Sequence, residues 1–195
     1  MTWPFGALRP LSYDLIVADP PWKYESYSVN GEKKGAGAQY TCLPPAEIAR
    51  QFPVHMLAAG NCLLLCFGTW PLLELQLACI RTWGFTYKSL IVWDKRHPSG
   101  KPAIGTGYRV RAMCEPVLLA TFGEPQHKAF PGLFQGVRRE HSRKPEEFYA
   151  LVDDRCPHLF RRADLFARVS RPGWEAFGNE LTKFDPTPPT LMAAG

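Results

Sequence analysis

The chain has 195 residues, of which 46% are hydrophobic and 13% aromatic, and its net charge is +5. This length suits one α/β domain with a sizeable core, and the hydrophobic content argues against wholesale disorder. The mild positive charge favours a polyanionic partner without establishing one. No apolar stretch reaches the roughly 18 residues of a transmembrane helix, so we expect no membrane partner.

The six cysteines form no Cys-x-x-Cys pair, and most lie in apolar runs, where a thiol behaves as a small hydrophobe. We therefore predict no zinc or other metal site and no disulfide framework. The first residues lack the basic start and apolar core of a signal peptide, which indicates a cytoplasmic protein.

The most informative stretch is a short apolar run that ends at an acid. Residues 15–18 are too few for a helix and rich in β-branched side chains, which predicts a buried strand. Asp19-Pro20-Pro21-Trp22 follows, and the prolines end the strand in a rigid, extended exit. Asp-Pro also initiates ordinary turns. A turn does not need an acid, two prolines and a tryptophan after a buried strand, so we favour a ligand site at the strand's carboxyl end.

Two loops carry candidate binding residues. Residues 23–43 contain tyrosines, lysines and glycines, among them Tyr40, and a loop of this length indicates a mobile lid or binding segment. Residues 95–111 carry five basic residues and no acidic one, which predicts a flexible, positive loop. Composition alone fits a solvated surface equally well. Residues 128–144 form a second polar and basic stretch.

The remaining segments alternate between strand and helix patterns. Strands are predicted at 63–67, 89–93, 115–122, 163–167 and 174–177, and helices begin at Pro44, Pro71 and Pro145. In the second helix the buried face is assigned to Leu72, Leu75, Cys79, Ile80 and Trp83. This alternation predicts a mostly parallel, doubly wound sheet in a single domain of residues 1–195. Its core spans about 13–180, with a leader at 1–12 and a disordered tail at 184–195.

Polar side chains follow or begin several predicted strands, and parallel strands bring their ends to one edge. The candidates are Asp19, Lys95, Glu115, Arg168, Asn179 and Glu180. Aromatic residues lie near the same edge, namely Trp22, Tyr40, Trp93 and Tyr108. Flat aromatic faces beside basic loops fit a ligand with bases and phosphates, although core packing explains Trp93 and Trp174 equally well.

The Asp-Pro-Pro-Trp motif suits one particular reaction. An exocyclic purine amine is a poor nucleophile because its lone pair is delocalised into the ring. The Asp19 carboxylate, together with a backbone carbonyl that proline leaves free, could hold its two N–H groups, localise the lone pair and stabilise the developing positive charge. Trp22 would stack on the base.

The motifs, taken in order, resemble those of the MT-A70 family of S-adenosylmethionine-dependent N6-adenine methyltransferases. They are Asp19-Pro20-Pro21-Trp22, residues 91–95, 105–108 with 114–120, residues 142–149, and the C-terminal block 164–168, Arg171, 173–174 and 178–180. Together they cover about residues 13–180. The resemblance implies a Rossmann-like class I methyltransferase fold with permuted motif order, in which the catalytic half precedes the cofactor half.

The resemblance also implies site residues, with S-adenosyl-L-methionine as cofactor. The catalytic positions are Asp19, Pro20, Pro21 and Trp22; the cofactor positions are Asp19, Lys144, Phe166, Arg168, Asn179 and Glu180; the substrate positions are Trp22, Tyr40, Lys95, Tyr108, Arg109 and Glu115. Glu180 suits the ribose hydroxyls, Lys144 the methionine carboxylate and Phe166 the adenosine. Ser170 and Arg171 stand where eukaryotic relatives carry His and Asn, and the cofactor-binding segment that RNA-methylating relatives carry before the catalytic strand finds no match here.

The first functional hypothesis is N6 methylation of adenine in DNA by a prokaryotic or phage-type enzyme, acting as a monomer or homodimer or with a partner subunit. RNA as the substrate and an inactive nucleic-acid-binding partner subunit are the alternatives. The inactive partner subunit is disfavoured because Asp19, Lys144 and Asn179 are all present. A nicotinamide-dependent oxidoreductase is improbable, since no strand-linked GxGxxG occurs.

Overall fold

Seven strands form one sheet in the order β5-β3-β4-β2-β1-β6-β7. The structure is a computed structural model, and it describes residues 3–23, 42–105, 109–140 and 143–185. The strands are β1 (Tyr13–Ala18), β2 (Ala58–Phe67), β3 (Thr86–Arg96), β4 (Cys114–Phe122), β5 (Leu133–Val137), β6 (Arg162–Leu165) and β7 (Trp174–Phe177). The helices are α1 (Pro45–Gln51), α2 (Leu73–Thr82) and α3 (Glu146–Arg155), with short 3₁₀ turns at Val54–Met56 and Trp70–Leu72.

The sheet is mostly parallel, as the alternation of elements predicts. β4 pairs antiparallel with both β2 and β3, whereas β1 with β2, β1 with β6, β6 with β7 and β3 with β5 are parallel pairs. The carboxyl ends of six strands and the amino end of β4 therefore lie along one edge of the sheet.

Helices cover both faces, which makes the sheet doubly wound. Ile16 of β1 belongs to one buried cluster with residues of α1 and α2, including Ile48 and Ile80. Its neighbour Leu15 belongs to the cluster on the other face, with Phe148 of α3. This alternation follows from the two-residue period of a strand. The predicted Rossmann-like methyltransferase architecture is confirmed.

The basic stretch at 128–144 contains a strand that its composition did not predict. β5 (Leu133–Val137) pairs in parallel with β3 at the border of the sheet. Phe134 is buried but Leu133 is 54% exposed. An edge strand of five residues buries too few side chains to leave a clear hydrophobic pattern.

The predicted buried face of α2 is partly wrong. Leu75 is 52% exposed, and Gln76 is fully buried in its place. The Gln76 side chain accepts a hydrogen bond from the Thr69 amide at 3.1 Å and donates one to the Thr69 hydroxyl at 3.3 Å. A buried amide is tolerated when its polar atoms are bonded in this way, which hydrophobic spacing alone does not reveal.

The N-terminal segment packs against the last strand. Phe5 is fully buried, and its ring lies 5.6 Å from that of Phe177 in β7. The predicted tail is described only as far as residue 185, and most of the 23–43 loop lies outside the described residues. In the described part of the chain, no helix is both long and apolar enough to cross a membrane.

Candidate active site

Charged side chains gather at the edge where most strands end. Asp19 follows β1, Lys95 lies near the end of β3, and Arg168 follows β6. Glu115 reaches this edge for a different reason from the one predicted. It lies near the start of β4, and it joins the others because that strand runs antiparallel to its neighbours.

These residues form a chain of alternating charge. Lys144 Nζ lies 3.0 Å from Asp19 Oδ1 and 3.5 Å from Glu115 Oε2. Glu115 Oε1 accepts a further hydrogen bond from Lys95. All four side chains are less than a quarter exposed. Lys144 directly precedes Pro145, the N-cap of α3, so the start of this helix fixes the lysine between the two acids.

The two carboxyl groups respond differently to this environment. Burial raises the pKa of Asp19, and the charge of Lys144 offsets part of the rise. Burial also acts to raise the pKa of Glu115, but Lys144 and Lys95 together outweigh it, so that pKa is lowered. Glu115 is thus held as an anion, whereas the pKa of Asp19 stays raised and is lowered chiefly by Lys144, with a smaller effect of Arg168.

Trp22 does not present the open face that stacking on a base requires. It is 5% exposed, and its indole N–H donates a hydrogen bond to the Phe67 carbonyl at 2.9 Å. The Trp22 amide donates to the Pro20 carbonyl at 2.8 Å, which closes a tight turn directly after the acid. Trp22 was expected to stack on the base; in the structure its indole belongs to the buried core.

The Pro20 carbonyl, a candidate acceptor for the target amine, already accepts one hydrogen bond. It accepts the bond from the Trp22 amide, while the Pro21 carbonyl accepts one from Leu43 at 2.9 Å. A carbonyl oxygen has two lone pairs, so Pro20 can still accept one hydrogen bond from a ligand.

The other aromatic and basic candidates separate into three groups. Trp93 is buried, with its indole N–H bonded to the Gly136 carbonyl at 2.9 Å, so the core-packing alternative applies. Arg109 is exposed. Tyr40 and Tyr108 lie outside the described residues.

The turns after β6 and β7 lie in direct backbone contact. Phe166 has a left-handed backbone, with φ of 63°, and the Ala167 amide donates to the Phe177 carbonyl at 3.0 Å. A Cβ atom on Gly178 would lie 2.4 Å from the Ala167 carbonyl oxygen, so only glycine fits there. Beyond this turn, Glu180 pairs with Arg168 at 3.3 Å and with Lys183 at 2.7 Å, and Asn179 is exposed.

A buried network supports this edge, and the sequence reasoning did not identify it. The Tyr149 hydroxyl donates to Asp164 Oδ2 at 2.8 Å, and the Arg171 guanidinium lies 3.5 Å from the centre of the Tyr149 ring. Arg171 is also ion-paired with Glu146. Burial raises the pKa of Asp164 to about 7. The available signal was an acid inside the apolar β6 run, because such a residue needs a buried partner.

The sheet order and this edge together define a Rossmann-like methyltransferase. The MT-A70 family model matches residues 13–180, and the chain therefore belongs to the MT-A70 family, a family of N6-adenine methyltransferases whose methyl donor is S-adenosylmethionine. The resemblance predicted from the motifs is confirmed.

Relatives include enzymes from bacteria, fungi and animals. The chain is 28% identical to the Type II methyltransferase M.MunI of a Mycoplasma species, with 91% of this chain and 81% of that protein covered. It is 29% identical to the N(6)-adenine-specific methyltransferase METTL4 of Homo sapiens, covering 89% of this chain and 38% of the relative. It is also 29% identical to the N6-methyladenosine RNA methyltransferase MTA1 of Cryphonectria parasitica, covering 92% and 54%. The chain thus spans about half the length of MTA1 and 38% of the length of METTL4.

The residues at this edge fit S-adenosylmethionine chemically. An acid beyond the second strand of a parallel pair is placed to accept hydrogen bonds from ribose hydroxyls, and Glu180 follows β7 in this way. Lys144 offers a cation for a carboxylate, and Phe166 an apolar surface. Across the described residues, no group of three or more His, Cys, Asp or Glu side chains could hold a metal ion.

Proposed function

We propose that this protein transfers a methyl group from S-adenosylmethionine to the N6 amine of adenine in DNA, at specific sites. The observation that carries the proposal is the Asp19 carboxylate at the end of β1, 3.0 Å from Lys144 and beside the turns that follow β6 and β7. The similarity to M.MunI, most of which the chain covers, favours DNA.

Asp19 and Pro20 would hold the target amine. One N–H group donates to the Asp19 carboxylate and the other to the remaining lone pair of the Pro20 carbonyl. This would localise the nitrogen lone pair for attack on the methyl group that the donor supplies. The carboxylate would stabilise the positive charge that develops on nitrogen until a proton passes to solvent. Trp22 would keep Pro20 in position through its turn, and Pro21 would keep the exit from the strand rigid.

The cofactor residues act on parts of the donor that do not react. S-adenosylmethionine supplies an electrophilic methyl group on a sulfonium. Lys144 would pair with its carboxylate while remaining within reach of Asp19, and Phe166 would pack beside the adenosine. Glu180, with Asn179 and Arg168 beside it, would bind the ribose.

The substrate residues surround the amine. Glu115, held as an anion by two lysines, would accept hydrogen bonds from the base, and Lys95 would keep it oriented. Arg109 would bind phosphate, a contact that does not depend on sequence. Tyr40 and Tyr108 remain proposed base contacts.

The test is methyl transfer from labelled S-adenosylmethionine to DNA and RNA offered in competition. We expect label in DNA with the wild-type chain and none with Asp19→Ala. The matched control is Asp14→Ala, because Asp14 lies on the same strand but pairs with Arg161 at the opposite edge. Label in RNA alone would favour the second candidate, an RNA methyltransferase, to which the similarity to MTA1 points. No label in either nucleic acid would contradict both and leave an inactive partner subunit.

A further inference from the structure

A loop with exposed apolar side chains rises beside the proposed active site. It lies between β3 and β4 and comprises residues 97–105 and 109–113; we call these two segments the rim loop. Val110 is 79% exposed, Ile104 49% and Met113 45%. Single exposed apolar residues are common, but several close together beside a functional edge indicate an interaction surface.

The base of the rim loop is firmly built. The Ala103 amide donates to the Lys95 carbonyl at 2.8 Å, and Ala103 is buried. The Gly105 amide donates to the Ala112 carbonyl at 2.8 Å, and a Cβ atom on Gly105 would lie 2.7 Å from that oxygen. The two legs of the loop are therefore joined closely, which brings Ile104 and Met113 near each other.

The rim loop is also joined by hydrogen bonds to the charged residues of the active site. The Lys95 amide donates to the Met113 carbonyl at 3.0 Å, and the Lys95 side chain binds Glu115. The indole of Trp70, itself partly exposed, donates to the Cys114 carbonyl at 3.0 Å. These contacts thus hold the base of the rim loop, and Met113 with it, next to the residues proposed to hold the base of the substrate.

Charge indicates what this surface binds. Arg109 and Arg111 flank Val110 and are exposed, and residues 97–113 contain no Asp or Glu. An apolar residue between two arginines suits a polyanion with stacked bases better than a protein surface. Arginines bind phosphates, while apolar side chains can enter the stack.

We infer that the rim loop is a wedge for double-stranded DNA, with Val110 and Met113 inserting into the base stack where the target adenine leaves it. This inference rests on the proposed function. In a duplex the adenine N6 amine is paired with thymine and the base is held in the stack, so the amine cannot enter the proposed site until the base is extruded, which costs a few kcal/mol in lost pairing and stacking. The inserted side chains recover part of that cost, and Arg109 and Arg111 hold the backbone on either side.

The test compares Val110→Ser with the wild-type chain on three DNAs of one sequence. The target adenine lies in a paired duplex, opposite an abasic site, or in a single strand. We expect Val110→Ser to lose at least about tenfold in kcat/KM on the paired duplex, and less than about threefold on the other two, where extrusion costs little. Met113→Ser should behave in the same way.

Two control variants separate a wedge from other effects. Arg109→Gln should weaken binding to all three DNAs alike and reduce the salt slope by about one. Leu11→Ser, at an exposed leucine just before β1 and remote from the rim loop, should change nothing. A second readout needs no methylation: 2-aminopurine at the target position should brighten when the wild-type chain binds duplex, and much less with Val110→Ser.

Several results would overturn the wedge. One is an equal loss of kcat/KM in Val110→Ser on paired and single-stranded DNA, and another is no loss on the paired duplex. A third is wild-type activity restricted to single strands. A change of oligomeric state in Val110→Ser would also overturn it, because the loop would then be a protein contact. Failure of the proposed function looks different, because the wild-type chain would then methylate none of the three DNAs.

Discussion

Lys144 is the residue on which the charge balance of the site depends, because it lies between two acids that are both largely buried. It is 3.0 Å from Asp19 and 3.5 Å from Glu115. Glu115 forms a second ion pair, with Lys95, whereas the ion pair that Asp19 forms among the described residues is with Lys144. Loss of the lysine should therefore affect Asp19 more than Glu115.

Replacing Lys144 with Met should raise the pKa of Asp19 further, since burial is then opposed only by the weaker effect of Arg168 among the causes that act on this carboxyl in the described residues. The reaction needs the carboxylate form, so the acid limb of the pH profile of kcat should move to higher pH. We also expect kcat/KM at neutral pH to fall by at least about a hundredfold, because an unpaired buried acid misplaces the amine. The control is Lys128→Met, a more exposed lysine that pairs with Asp154, since neither residue is proposed to bind donor or substrate. An unmoved acid limb would contradict this role.

Asp164 gives the protein a pH-dependent stability with the opposite sign to that of a common salt-bridged acid. Burial raises its pKa to about 7, from 3.8 in an ordinary environment. Between these values the folded chain keeps a proton that the unfolded chain has lost. The stabilisation is therefore fully present below about pH 4 and declines until about pH 7, above which it is gone.

The corresponding prediction concerns Asp164→Asn. An amide does not titrate, yet it still accepts a hydrogen bond from Tyr149. The wild-type free energy of unfolding should fall relative to that of the variant by up to about 1.4 kcal/mol per pH unit across this interval. Urea denaturation of both proteins between about pH 4.5 and pH 8 measures the difference. Parallel curves would show that Asp164 does not carry the shift.

At the scale of elements, the turns after β6 and β7 shape the proposed cofactor site. Gly178 fits against the Ala167 carbonyl with no room for a Cβ atom. The contact sets the spacing of the segments that carry Phe166 and Glu180. Because two backbones approach each other closely here, the contact depends on the conformation of both turns and not on one residue alone.

Gly178→Ala should push these turns apart. We expect a loss of about 1–3 kcal/mol in the free energy of unfolding and weaker binding of S-adenosylmethionine, by about tenfold or more. Denaturation and calorimetric titration measure the two effects. Gly132→Ala is the matched control, because nothing lies within 4 Å of its added methyl group. Equal behaviour of the two variants would contradict the importance of the close contact.

The sequence predicted the elements with strong local patterns and missed those determined by pairing. β1 and β7 were recognised because their apolar residues and flanking breakers are local. The antiparallel direction of β4 is not visible in its composition, since a buried strand reads alike in both directions. β5 is short and at the border, so its few buried residues gave no pattern.

The same division holds for the site. Asp19, Glu115 and Lys144 were predicted individually, from strand ends and from the family resemblance. The contacts that join them, and the burial of Trp22, arise from the packing of elements distant in sequence. Asp164 with Tyr149 shows this most clearly, because neither residue indicates its partner before the fold brings them together.

At the scale of the whole molecule, one edge of the sheet brings together two halves of the chain. β1 to β4 supply Asp19, Lys95 and Glu115, and the later elements supply Lys144 and the turns that carry the proposed cofactor residues. The antiparallel β4 places Glu115 and the end of the rim loop at this edge as well. The target amine, the methyl donor and the DNA duplex would therefore bind to adjacent parts of one surface.

Mass spectrometry of DNA nucleosides, after reaction with S-adenosylmethionine, tests the central claim most directly. We expect N6-methyladenine from the wild-type chain and from Asp14→Ala in comparable amounts. We expect a loss of at least about a thousandfold for Asp19→Ala, because the reacting amine then loses its carboxylate acceptor and the developing positive charge loses its anion. N6-methyladenine from Asp19→Ala at the wild-type level, or methyl groups on another atom of the bases, would contradict the central claim.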